Sequence, residues 1–433
     1  MATLAKVTAA ALALAMFGCG GGGGGGTETG DGTSVPPQPQ LANISAFVDS
    51  SSYAGVLVGC VAAEEQSESC SLDTLPLIGL EHSDPDIDAI MARVAVSHTW
   101  MGERFAAVLA ELPADILTLL KGVTAIVIDD DIRPSFYTTL TGAIYLDPAN
   151  LWLTNAEKAT INREEDFRSN FGNELAFRSL WRYTLNSVRA YQFYPLDGDE
   201  QRELGDIVYR LAALLFHELA HANDFFPPDI IGGLDTTQSV LAAAASIQGQ
   251  RVAVQLQDDI PLSSDTLRGL AGVMFRGDTP SAEQRALSAA QVGELFAADG
   301  ANDDYAYSSI YEDVAMLFEE TMMKYHFNID RDTGYTSAPA EAGGCEEFVV
   351  GWGNRNRLGD TEVKSRARYV TEALLPQADL STFFDNLTLP VEMVPGVSWC
   401  FNLLSPPARP GSGTSLRIDR EHRFHPEDLL RHH

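Results

Sequence analysis

The chain has 433 residues, enough for one large domain or two to three ordinary ones. Hydrophobic residues make up 45% and aromatic residues 9%, so most of the chain is expected to bury a core rather than stay disordered. Sixty acidic residues against 29 basic ones give a net charge of −31, which argues against phosphate-backbone binding and predicts no nucleic-acid partner.

Residues 1–18 carry one early lysine, Lys6, followed by the apolar run Val7 to Phe17. The run is too short to cross a bilayer but suits the apolar part of an export signal. It ends at Gly18-Cys19, a junction that resembles a bacterial lipoprotein signal; a plain secretory signal is the alternative. The resemblance implies a lipid on Cys19 and membrane attachment through that N-terminal anchor. With Gly20 next, it also implies an outer-membrane lipoprotein facing the periplasm or the cell surface. Residues 19–45, with the glycine run Gly20 to Gly26 and then TETGDGTSVPPQPQ, have the composition of a flexible tether.

Residues 46–83 read as a small disulfide-clipped segment. In an exported chain the four remaining cysteines form a disulfide set, for which three connectivities are open. The most local is Cys60–Cys70 with Cys345–Cys400. Asp84 to Lys121 has helical apolar spacing, interrupted at Pro113. Val123 to Asp130 and Gly142 to Leu153 read as strands, the second closed by Asp147-Pro148. Asn170 to Arg189 is mixed and reads as helix. Gln201 to Phe226 is strongly helical and stops before Pro227-Pro228. Helical spacing recurs within 229–304 and again from Ser309 to His326, and 405–433 reads as a peripheral tail rich in arginine and histidine.

The helix that ends at Phe226 contains His217-Glu218-Leu219-Ala220-His221. Residues four apart share a helix face, so both imidazoles can reach one ion, while Glu218 on the adjacent flank can hold a water beside it. H-E-x-x-H on a helix is the pattern of zinc metallopeptidases. Two satisfied core histidines next to a salt-bridged glutamate are the alternative. A catalytic zinc site needs a third protein ligand and an open position. The three-histidine extension of the motif fails here, because Asp224 stands at its glycine position and Pro227 at its third histidine. Asp224 is better placed to orient an imidazole than to bind the ion. The helix after Ser309 offers Glu312, with Asp313 beside it and the small Ala315 one turn on. Glu319 is its main rival, and Glu320 and His326 are weaker ones.

With Tyr305 seven residues before Glu312, these segments resemble the gluzincins, in particular the lethal-factor-like peptidases. The resemblance covers the two helices and the strand GAIYL, not the whole chain. Met316 departs from the acidic residue usual after the alanine, and the long gap from His221 to Glu312 implies an insertion, 229–304. The resemblance implies an α+β, zincin-like fold over 84–404, mainly helical with a small mixed sheet. It further implies Zn²⁺ on His217, His221 and Glu312, with Glu218 as general base and Tyr305 facing the substrate carbonyl. Asp224 and Asp313 would then orient the ligands, and Ala143 to Leu146 would border the cleft as an edge strand. The function so implied is a lipid-anchored zinc metallopeptidase with a protein or peptide substrate. The alternative is a catalytically degenerate zinc-binding lipoprotein that serves as a binding module.

Overall fold

The computed structural model describes residues 41, 43–164, 166–340 and 344–404. The expected export signal, the lipidation at Cys19, nearly all of the tether and the 405–433 tail lie outside these residues. Among the described residues, no helix is long and apolar enough to cross a membrane.

The architecture is mixed α and β, with two five-stranded sheets. The first contains β1 (Ser45–Ala46), β2 (Val94–Val96), β3 (Ile126–Ile128), β4 (Phe136–Thr138) and β5 (Ala143–Leu146), in the order β1-β2-β3-β5-β4. The three central strands are parallel, and β1 and β4 run antiparallel at the two edges. Strands β3 and β5 read IVI and AIYL and are buried on both faces, as parallel strands usually are. Side-chain alternation sorts them. Ile126, Ile128, Ile144 and Leu146 face the main core, whereas Val127, Ala143 and Tyr145 face a smaller core with Leu57, Cys60 and Val61 from the helix Ala54–Val61. The 46–83 segment therefore covers the rear of this sheet. Within it, Cys60 and Cys70 sit at disulfide distance, with Cα atoms 5.4 Å apart.

Two expectations are corrected in this layer. The 84–121 stretch is not helical throughout, because β2 emerges between the helices Ile87–Met91 and Thr99–Leu109. Its three apolar residues are buried and lie between β1 and β3, so its backbone hydrogen bonds are made across the sheet rather than along a helix. Nor is Ala143–Leu146 an edge strand. It is flanked by β3 and β4, and the edge belongs to β4. The chain turns from β4 into β5 through Gly142, whose N–H donates to the Thr138 carbonyl at 2.9 Å. Gly142 has φ +68°, and a Cβ there would run into Val240 and Thr124, so glycine suits both the turn and the packing.

The second sheet is antiparallel: β6 (Phe177–Leu185), β7 (Val188–Arg189), β8 (Asp330–Ser337), β9 (Val350–Arg355) and β10 (Val391–Glu392), ordered β10-β9-β8-β6-β7. The helix expected over 170–189 is thus a hairpin. Asn186 and Ser187 both take positive φ, 54° and 65°, which is the conformation of a tight two-residue hairpin turn. The other edge of β6 pairs along its length with β8, a partner far away in sequence. Cys345 and Cys400 lie beside this sheet at disulfide distance, Cα atoms 5.4 Å apart, in a cluster with Phe348 and Trp399.

Two long helices pack together, the first against the first sheet and the second against the first helix and β8. The motif helix, Leu204–Phe225, begins with a capping box between Glu203 and Asp206 and ends just before Pro227. The second, Ile310–Phe327, lies directly on it, with the rings of Phe216 and Phe318 edge to face at 6.3 Å. Helices from 229–304 complete the same core: Ala243 of Val240–Ser246 and Leu256 of Val252–Asp259 belong to it.

Candidate metal centre

The motif helix is buried along its whole C-terminal half, and His217, Glu218 and His221 are 0%, 0% and 1% exposed. The two imidazoles meet edge to face with centroids 4.9 Å apart. Glu312 reaches them from the second helix. Its Oε2 lies 3.1 Å from Nε2 of His217 and 3.4 Å from Nε2 of His221. The three ligand atoms fall within 4.8 Å of one another, a group that could hold a metal ion.

Local sequence places Glu312 there. Ser309 caps the second helix by accepting the Glu312 N–H at 3.1 Å. In a capping box the glutamate at the third helical position folds back to the cap. Glu312 instead points at the imidazoles, while the buried Ala315 one turn on leaves room for the facing helix. Burial alone would raise the Glu312 pKa, but the adjacent His221 and His217 outweigh it and hold the carboxyl well below the usual range.

Glu319, two turns further along, occupies a different place. Its Oε2 lies 3.1 Å from Nδ1 of His217. A proton on Nδ1 would satisfy Glu319 and leave the Nε2 lone pair facing Glu312, the arrangement by which carboxylates orient metal-bound histidines. The second sheet supports it from behind: the Tyr183 hydroxyl of β6 donates to Glu319 Oε1 at 2.7 Å, and Arg331 of β8 approaches the same oxygen at 3.6 Å. Arg331 in turn donates two hydrogen bonds to Asp303, at 2.7 and 3.0 Å. Sequence reasoning found Glu319 only as a rival ligand and missed Tyr183 and Arg331 altogether. The period-two alternation in RSLWRYTL was the available signal.

The two acids expected to orient the ligands have other partners. Asp313 is held by Arg366 in a buried ion pair, which turns it toward the helix Thr361–Leu374. Asp224 accepts the Ala253 N–H at 2.7 Å, tying the first turn of Val252–Asp259 to the motif helix. Burial raises the Asp224 pKa to about 6. Tyr305 stands in the short turn Asp304–Tyr307, whose Asp303 cap accepts the Tyr305 N–H at 2.9 Å. Its ring lies 6.2 Å from the His217 ring at 24° and edge-on to Phe275 at 4.8 Å. Phe136 of β4 packs in the same cluster.

Glu218 is the unusual group. Neither of its buried oxygens has a hydrogen-bond partner among the described residues. Burial pushes its pKa up to about 7, with the two histidines pulling it back and Glu312 and Glu319 adding to the rise. Glu320 is similar: burial takes it to about 8 despite Arg331 and a 2.8 Å hydrogen bond from Asn302. Both folded pKa values lie above the ordinary 4.5, so the stability they contribute is fully present below that value. It is lost as pH rises through about 7 and about 8. Chelator-treated protein is therefore expected to melt at a lower temperature near pH 8 than near pH 5.5, and Glu320→Gln should flatten the upper part of that decline. Calorimetric melts across this range check it; a midpoint that climbs steadily with pH would contradict it.

Neither a protein-family model nor a curated protein nor a solved structure matches this chain.

Proposed function

We propose that this protein is a zinc-dependent metallopeptidase of zincin-like build, with His217, His221 and Glu312 as zinc ligands and Glu218 as general base. The observation that carries the reading is the convergence of the two imidazole nitrogens and one carboxylate oxygen, from two separate helices, beside a buried glutamate with no hydrogen-bond partner among the described residues. Two histidines and a glutamate are a donor set that suits zinc in hydrolytic sites, where a fourth position stays open. Bound zinc would supply Lewis acidity and lower the pKa of a water at that position.

The chain's own residues do the rest. Glu218, with a pKa near 7, accepts a proton from the attacking water and returns it to the leaving amine. Tyr305, held between His217 and Phe275, offers its hydroxyl to the developing oxyanion. The antiparallel edge strand β4 takes the role first expected of Ala143–Leu146. Its free edge can pair with an extended peptide, and its Phe136 packs beside Tyr305. The lipid anchor at Cys19 and an outer-membrane location belong to the same proposal.

The test is metal analysis of the full chain with cleavage profiling on an unbiased peptide library. About one zinc per chain is expected, with cleavage that chelation abolishes and zinc restores. His217→Ala should lose the ion and so controls for metal held by the histidines of the 405–433 tail. Absence of stoichiometric zinc would sink the reading, and zinc without cleavage would leave a metal-binding module.

A further inference from the structure

A cavity of about 300 Å³ is walled in part by the motif helix, by β6 and by the segment leading into β4. Seven arginines and four carboxylates line it, in a chain whose 60 acidic residues outnumber its 29 basic ones. Basic charge is thus concentrated where composition alone would place acid.

The position of the cavity ties it to the site. Arg210 lies on the motif helix seven residues before His217, two turns along one face and roughly 10 Å along the axis. Tyr183 lines the cavity and holds Glu319, the carboxylate on His217. Pro134 and Ser135, which lead into β4, form another part of the wall. The cavity therefore shares its walls with the motif helix, with β6 and with the segment that enters β4.

Some of this charge is matched: Arg182 pairs with Asp332, Arg133 with Asp147 and Arg168 with Asp166. Arg202 is held differently. It donates to the carbonyl oxygens of Trp152 at 2.7 Å and Ala149 at 3.0 Å, and its guanidinium lies 3.9 Å from the Trp152 ring centroid. These neutral partners fix its orientation, and the carboxylates that act on its charge, Asp206 and Glu157, do so without a direct ion pair among the described residues. Arg210 donates to Asn150 Oδ1 at 3.1 Å and lies 5.9 Å from the Tyr191 ring. A half-enclosed wall of oriented guanidinium groups focuses positive potential and matches the geometry of carboxylates.

We propose that this cavity is a specificity subsite for acidic side chains, so that the enzyme selects peptides carrying Asp or Glu on the side of the scissile bond nearer Arg210. This inference rests on the peptidase reading. It is tested with labelled peptides of one sequence bearing Glu, Gln or Lys at the flanking positions. Their binding to full-length, zinc-loaded Glu218→Gln is measured by anisotropy, and their kcat/KM with the wild-type protein.

The Glu peptide is expected to bind at least about 10-fold more tightly than the Gln peptide, with the difference shrinking as salt is added. Arg210→Gln should abolish the preference. Arg163→Glu, at an exposed position on the cavity wall, should weaken it and stands in should Arg210→Gln fail to fold. Equal binding of the Glu and Gln peptides overturns the inference even where both are cleaved. Selective binding of the Glu peptide without zinc or cleavage overturns the peptidase reading and leaves an acidic-peptide cleft.

Discussion

The Glu218→Gln protein is expected to bind zinc at the wild-type stoichiometry and to lose about 10²- to 10⁴-fold in kcat, the usual contribution of a positioned acid–base group. The substitution is nearly isosteric and removes only charge and basicity. Because neither Glu218 oxygen has a hydrogen-bond partner among the described residues, no protein hydrogen bond is lost with it. The buried carboxylate also opposes its own ionisation, with a pKa raised to about 7, so a neutral amide should not destabilise the metal-free fold near pH 8. A loss of turnover at unchanged metal content and melting temperature would therefore report chemistry rather than folding. Cleavage at the wild-type rate would mean that the proton goes elsewhere and that the role assigned to Glu218 is wrong.

What could be read from the sequence follows the range over which each signal acts. The motif helix was legible because its apolar spacing and the stop at Pro227-Pro228 are local. The third ligand was legible only as a choice. Glu312 and Glu319 lie seven residues apart, two turns on nearly one face, so helical phase cannot separate them. Height along the facing helix decides: Glu312 meets the two Nε2 atoms, and Glu319 meets Nδ1 of His217 from the other side. The second sheet was not legible, since β6 pairs with a strand about 150 positions later and that pairing leaves no local trace beyond a weak alternation. Strand β4, three residues long, is too short for periodicity to declare. The arginines around the cavity are spread from Arg133 to Arg210 and form no basic run, so only folding gathers them.

The different positions of Glu312 and Glu319 lead to the second large effect. Glu312→Gln is expected to weaken zinc binding by more than about 100-fold, and Glu319→Gln by about 10- to 100-fold, the range for carboxylates that orient a metal-bound histidine. An amide at 312 replaces an anionic ligand with a neutral, weak one and leaves the two imidazoles without the counter-charge that now lies 3.1 and 3.4 Å from them. An amide at 319 still presents an oxygen to Nδ1 of His217 and can keep the 2.7 Å hydrogen bond from Tyr183, so ring orientation survives while the basicity of the imidazole falls. Competition against a chromophoric chelator, with His217→Ala to subtract metal on the tail, measures both constants. The reverse ranking, with Glu319→Gln the weaker binder, would make Glu319 the ligand and would require His217 to turn its Nδ1 toward the ion.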